Sequence, residues 1–186
     1  MKKNGFTLIE LLVTFVILGI VTAIAIPGFS RWLPGYRLKS ASRELYANMQ
    51  LAKMGSVKNN ADWAVVFDTT AGAHRYLIYS DKGADNSWSA TADNAIEKTV
   101  ILSAYESGVG YGPGSATKNA TTAGGALPVD DISYNYNVAV FNSRGLCGGG
   151  YVYIENDKNT TTYAVGTRTS GVILLRKWND STSNWE

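Results

Sequence analysis

With 186 residues, the chain is long enough for one domain of ordinary size and an appendage. Its 17 Lys and Arg stand against 15 Asp and Glu, falling to 15 against 15 without Lys2 and Lys3, so there is no global basic field of the kind that draws nucleic acid. A single cysteine, Cys147, excludes an internal disulfide and a Cys-rich zinc site, and a single histidine, His74, leaves little for histidine-based metal binding or catalysis.

Residues 1–5, Met-Lys-Lys-Asn-Gly, read as a short basic leader. Residues 6–29 follow as 24 residues with one charge, Glu10. As a helix this run reaches roughly 36 Å, enough to cross a hydrocarbon core of about 30 Å. Lysines before the span and none inside it predict a cytoplasmic N-terminus and an exported remainder. A secretory signal would have a shorter apolar core and a small-residue cleavage site. Ala23 and Ala25 mimic such a site, yet the run continues to Phe29. A plain anchor fits the length but leaves Glu10 unexplained, because an acid within an apolar span is costly and points to a function.

Gly5-Phe6-Thr7-Leu8-Ile9-Glu10 with its apolar continuation resembles the class III signal of type IV prepilins and type II secretion pseudopilins. The resemblance implies cleavage by prepilin peptidase between Gly5 and Phe6, N-methylation of Phe6, and an assembly role for Glu10. Pro27 falls where many pilins carry a helix-perturbing proline. Physical reasoning runs alongside. Glycine before the cut lets an extended backbone enter a protease without a side-chain clash. The Phe6 amine so released can pair with Glu10 of a neighbouring parallel helix and fix an axial stagger. Pro27 removes a backbone donor and Gly28 loosens the helix beside it, so bending or melting is expected there.

After a second candidate break at Pro34-Gly35, Leu38, Ala41, Leu45, Met49 and Ala52 recur at spacings of three and four, an apolar stripe that should lie on a sheet. Arg43 and Glu44 read as a solvated face. Beyond residue 58 the pattern turns to strands, predicted at 63–68, 75–80, 98–105, 132–141, 151–155, 162–167 and 172–178. Residues 133–138 alternate polar and apolar, as in a sheet with one wet face. Residues 69–73 and 169–171 are short enough for hairpins. Residues 107–131, small and Gly-rich, read as a long surface loop.

The downstream half, with Val140-Phe141-Asn142-Ser143-Arg144-Gly145, a Gly148-Gly149-Gly150 turn and Ser170-Gly171-Val172-Ile173, resembles the H-type pseudopilin and FimT/FimU minor-pilin domain. Val172 stands where that group usually has Arg.

Other constellations are weaker. The alternating glycines 108, 110, 112 and 114 lack the GK[ST] ending of a phosphate loop. Asp81, Asp85 and Asn86 bring hard oxygen ligands together and make calcium the one cofactor to weigh, although the spacing is not that of an EF-hand; otherwise no cofactor or metal is expected. His74 reads as structural or exposed, and Cys147 as buried. Arg168, Arg176, Lys177 and Trp178 form a small basic-aromatic group that could contact DNA through phosphates and stacking, with a solvated strand face as the competing reading.

The expectation is an α+β pilin fold: a long N-terminal helix, transmembrane over 6–29 and amphipathic over 30–58, packed on an antiparallel sheet of a periplasmic domain spanning 59–186. The expected function is a structural subunit, not an enzyme, of a type IV pilus or type II secretion pseudopilus, minor rather than major. Its expected partners are prepilin peptidase, other pilins or pseudopilins, an inner-membrane assembly platform and, before assembly, lipid. The alternatives are a DNA-binding minor pilin for natural transformation, or a major pilin.

Overall fold

The computed structural model describes residues 5–70, 72, 74–88, 93–121, 124–158 and 161–186, with Pro27 as backbone only. Leader residues 1–4 and loop positions 71, 73, 122 and 123 lie outside the described residues. One helix, α1 (Leu8–Asn59), runs for 52 residues. Asn60 closes it in the left-handed region (φ 51°, ψ 39°), its N–H reaching the carbonyls of Ser56 and Val57.

α1 continues without interruption through Pro27-Gly28 and Pro34-Gly35, so the predicted melting is absent from the subunit. Proline's fixed φ suits a helix and costs it one donor, and cooperative hydrogen bonding on both sides carries the helix across.

Two antiparallel sheets clasp the second half of α1. The first has the order β3 (Ile96–Ile101), β2 (Arg75–Tyr79), β1 (Trp63–Asp68), β5 (Val138–Phe141). The second has the order β4 (Gly110–Tyr111), β6 (Gly150–Glu155), β7 (Tyr163–Thr167), β8 (Ile173–Asn179), β9 (Asn184–Trp185). The predicted stripe Leu38, Ala41, Leu45, Met49 and Ala52 is buried, each residue at most 1% exposed, against Val65, Phe67, Ile78, Val152, Val165 and Ile173 of the two sheets. Burial of this stripe is what fixes the helix to the domain.

Polar ties run along the same seam. Pro34 O accepts from Asn156 Nδ2 at 3.1 Å, and Arg37 donates to Ser107 Oγ at 2.9 Å and pairs with Glu106. Asn48 Nδ2 donates to the Tyr76 hydroxyl at 2.7 Å, and Lys53 Nζ to Gly171 O at 2.9 Å. Glu44 is not simply solvated: Lys98 Nζ lies 2.9 Å from it and the Tyr105 hydroxyl donates to it.

Both expected hairpins form, between β1 and β2 and between β7 and β8. Two expectations change. Residues 132–141 are strand only from Val138 on, because 3-10 turn Asn135–Asn137 holds Tyr136 and Asn137 at φ 55° and 58°. The 98–105 strand ends at Ile101 and passes into 3-10 turn Leu102–Tyr105. The 107–131 stretch lies at the surface, but among its described residues Val109, Tyr111, Ala116 and Ala120 are buried against the domain. It contributes β4, and Ala116, Ala120 and Leu127 seal the outer face of the second sheet over Tyr151, Tyr153 and Trp178. Ala120 N donates to the Tyr153 hydroxyl at 2.7 Å, and Trp185 Nε1 to Lys118 O at 2.8 Å. Small side chains let that backbone come close to the aromatic face.

Candidate assembly and processing site

The two halves of α1 have opposite environments. Leu8–Ile26 has a mean hydropathy of 2.6 and none of it is buried. Phe15, Leu18, Ile20, Val21 and Ile24 are all more than half exposed. At 1.5 Å per residue its 19 residues reach about 28 Å, close to the thickness of a hydrocarbon core. An apolar surface this large, on a helix whose other half buries a stripe against the sheets, must be covered by lipid or by other chains.

Thr7 and Glu10 shape the start of this helix. Thr7 is the N-cap (φ −80°, ψ 152°) and its Oγ1 accepts from Glu10 N at 3.3 Å. Glu10 Oε2 reaches back to accept from Thr7 N at 2.8 Å and from Thr7 Oγ1 at 2.9 Å. This is a capping box: carboxylate and hydroxyl each satisfy a donor that the first helical turn leaves open. The acid therefore has partners within its own chain. The Thr-x-x-Glu spacing in the sequence is the signal of such a box. Gly5 and Phe6 lie just outside the helix, both exposed, with Phe6 at 86%. The segment just before the capped helix is thus accessible at the Gly5–Phe6 bond.

The structure separates the four residues considered for DNA. Arg176 and Trp178 do share a face of β8, but Trp178 is 2% exposed, its ring edge-on to Trp185 at 5.2 Å and its Nε1 donating to Asp180 at 2.9 Å. It offers no face for a base to stack on. The Arg176 guanidinium lies 6.0 Å from the Tyr151 ring centre. Arg168 sits in the β7–β8 turn, while Lys177 is paired with Tyr163 at the other end of the hairpin. Five residue steps of strand put them about 16 Å apart. The side chains do not form one basic-aromatic patch.

The remaining candidates make contacts within the fold. His74 Nδ1 accepts from Tyr111 N at 3.2 Å, helping to hold β4. Cys147 is buried, and burial pushes its thiol pKa up, away from reactivity. Asp81 and Asp85 accept from the amides of Lys82 and Ser87, stabilising their turn.

The chain is thus of the class that carries a folded domain on a long helix and leaves the first half of that helix for lipid or for neighbouring chains. Residues 1–26 match the prokaryotic N-terminal methylation motif. Fimbrial protein Q of Moraxella bovis is 27% identical over 108 residues, covering 53% of this chain and 69% of that protein. The minor pseudopilin EpsH of the Vibrio cholerae type 2 secretion system superposes with a TM-score of 0.51 at 13% identity, over 75% of this chain and 95% of EpsH. The Pseudomonas aeruginosa type IV minor pilin FimU aligns at a TM-score of 0.48 and 12% identity, over 74% and 91%. In its N-terminal methylation motif and in its fold the chain is similar to type IV pilins and type II secretion pseudopilins.

Proposed function

We propose that the chain is a minor subunit, inserted once through a bacterial inner membrane with its N-terminus in the cytoplasm and its β-rich domain in the periplasm. Prepilin peptidase cuts between Gly5 and Phe6, Phe6 is methylated, and an inner-membrane assembly platform lifts the subunit into a pilus or pseudopilus. The observation that carries this reading is the contrast along α1: Leu38 to Ala52 is clamped by two sheets, whereas Leu8–Ile26 touches nothing. In the filament, the bare half packs against the same half of its neighbours.

Glu10 sets the register. Its carboxylate exchanges the Thr7 donors for the cationic Phe6 amine of an adjacent subunit, a stronger, charge-assisted hydrogen bond. An acid meeting an amine within an apolar bundle favours one axial offset over others.

Coexpression with prepilin peptidase followed by intact-mass measurement tests the processing step. Wild type should lose residues 1–5 and gain a methyl group, and a Gly5→Leu variant should keep its leader. Trimming of Gly5→Leu to the same product refutes this cleavage site. Glu10→Ala should fold and be processed normally, yet enter filaments poorly; wild-type filament levels of this variant refute the register role.

A further inference from the structure

On the side of the first sheet facing away from α1, a groove of about 670 Å³ lies between β5, Gly148-Gly149 and the β2–β3 connection. Its floor is Val138 and Val140, and its aromatic walls are Trp88, Tyr134 and Tyr136. Lys82, Asn86, Ser87 and Asn135 add polar groups. Cavities of this size that join apolar walls to a few placed polar groups suit small-molecule or short-chain ligands.

Two features make this more than a crease. Tyr136 is 97% exposed and sits at φ 55°, ψ 21°, in the left-handed region that a bulky side chain enters only at a cost. Burial does not explain that cost, because the ring is buried against nothing. Tyr134, two residues earlier, is buried with its hydroxyl 2.9 Å from Thr167 Oγ1, which anchors the turn that holds Tyr136 out. The second feature is charge. Lys82 Nζ stands 5.7 Å from the Trp88 ring centre, and among the described lining residues it is the one charged group.

We propose that this groove binds an acidic oligosaccharide. Sugar C–H faces carry slight positive charge and are attracted to the electron-rich faces of Tyr136 and Trp88. The amides of Asn86 and Asn135 and the hydroxyl of Ser87 match the ligand's hydroxyl and acetamido groups. Lys82 meets its carboxylate. The groove lies on the face opposite the helix, so in an assembly cored by α1 it remains open to the surroundings.

The test is calorimetric titration of the full chain in detergent micelles with two probes, a hyaluronan hexasaccharide, which is acidic, and chitohexaose, which is neutral. The acidic probe should bind more tightly. Tyr136→Asn keeps a residue that tolerates the left-handed region but removes the ring, and should weaken both probes about tenfold without lowering the thermal midpoint. Lys82→Gln should remove the preference for the acidic probe, weakening hyaluronan hexasaccharide several-fold more than chitohexaose. Absence of binding by either sugar at millimolar concentration overturns the proposal, as does unaltered affinity in Tyr136→Asn. Equal affinity for a poly-glutamate peptide would assign the site to acidic protein instead. Because purified subunit is used, failure here leaves the filament reading untouched, and failure of assembly leaves the groove untouched.

Discussion

If one helix does two jobs, trimming the same side chain in its two halves must give opposite results. Leu45 is fully buried between the sheets, whereas Leu12 is 51% exposed. Leu45→Ala removes three carbons, about 2.4 kcal/mol of transfer free energy at about 0.8 kcal/mol each. The residual cavity between a helix and two sheets, which cannot easily close, raises the loss to about 3–4 kcal/mol. Leu12→Ala leaves no cavity in the subunit and should change stability by no more than about 0.5 kcal/mol. It should instead lower the fraction of subunit recovered in filaments. Urea unfolding of full chains in detergent, followed by tryptophan fluorescence and near-UV circular dichroism, reads the first effect, and sedimentation of sheared filaments reads the second. A cost below about 1 kcal/mol for Leu45→Ala, or equal costs for both variants, would refute this division of the helix.

Two further outcomes follow from packing and charge. Gly171 stands at φ 74° where the β7–β8 turn meets the β5–β6 connection, and a Cβ there would run into Gly145 O. Gly171→Ala should therefore cost about 2 kcal/mol or more, measured by the same unfolding assay, and wild-type stability would show that the two turns can part freely. For Asp68, burial by itself would raise the carboxyl pKa. Bonds from the Thr70 hydroxyl at 2.6 Å, the Thr70 amide at 3.1 Å and Arg75 Nε at 2.9 Å outweigh it and hold the group below the usual carboxylate value. With the folded value depressed, its stabilisation is complete above the unfolded value of about 4 and is lost as pH falls through the folded value. The stability gap between wild type and Asp68→Asn should accordingly narrow below about pH 4, and parallel pH curves would count against the assignment.

What could be read early was what depends on local order. The Gly5-to-Glu10 motif, the apolar run and the stripe from Leu38 to Ala52 are set by residue spacing on a single helix, and each appears where spacing puts it. Strand 63–68 and the two hairpins were equally legible, since β-branched and aromatic runs flanked by turn residues need no distant partner to be recognised. The turn at Asn135–Asn137 misled for a physical reason: tyrosines two residues apart would share one face of a strand, whereas the left-handed backbone at Tyr136 turns its ring out while Tyr134 stays buried.

Everything that required two distant segments to meet was decided by tertiary structure. Ala116, Ala120 and Leu127 of a small, Gly-rich stretch pack because the aromatic face of Tyr151, Tyr153, Trp178 and Trp185 lies opposite them, and the same cluster buries Trp178. The groove under Tyr136 exists only because β5 ends one sheet near the start of β6 in the other, a neighbour relation that no periodicity encodes. The sequence by itself determined that the chain has a leader-like motif, an apolar helix and a β-rich body. The fold alone decided which surfaces those elements keep covered and which they leave for partners, because burial is a property of pairs of segments and not of either one.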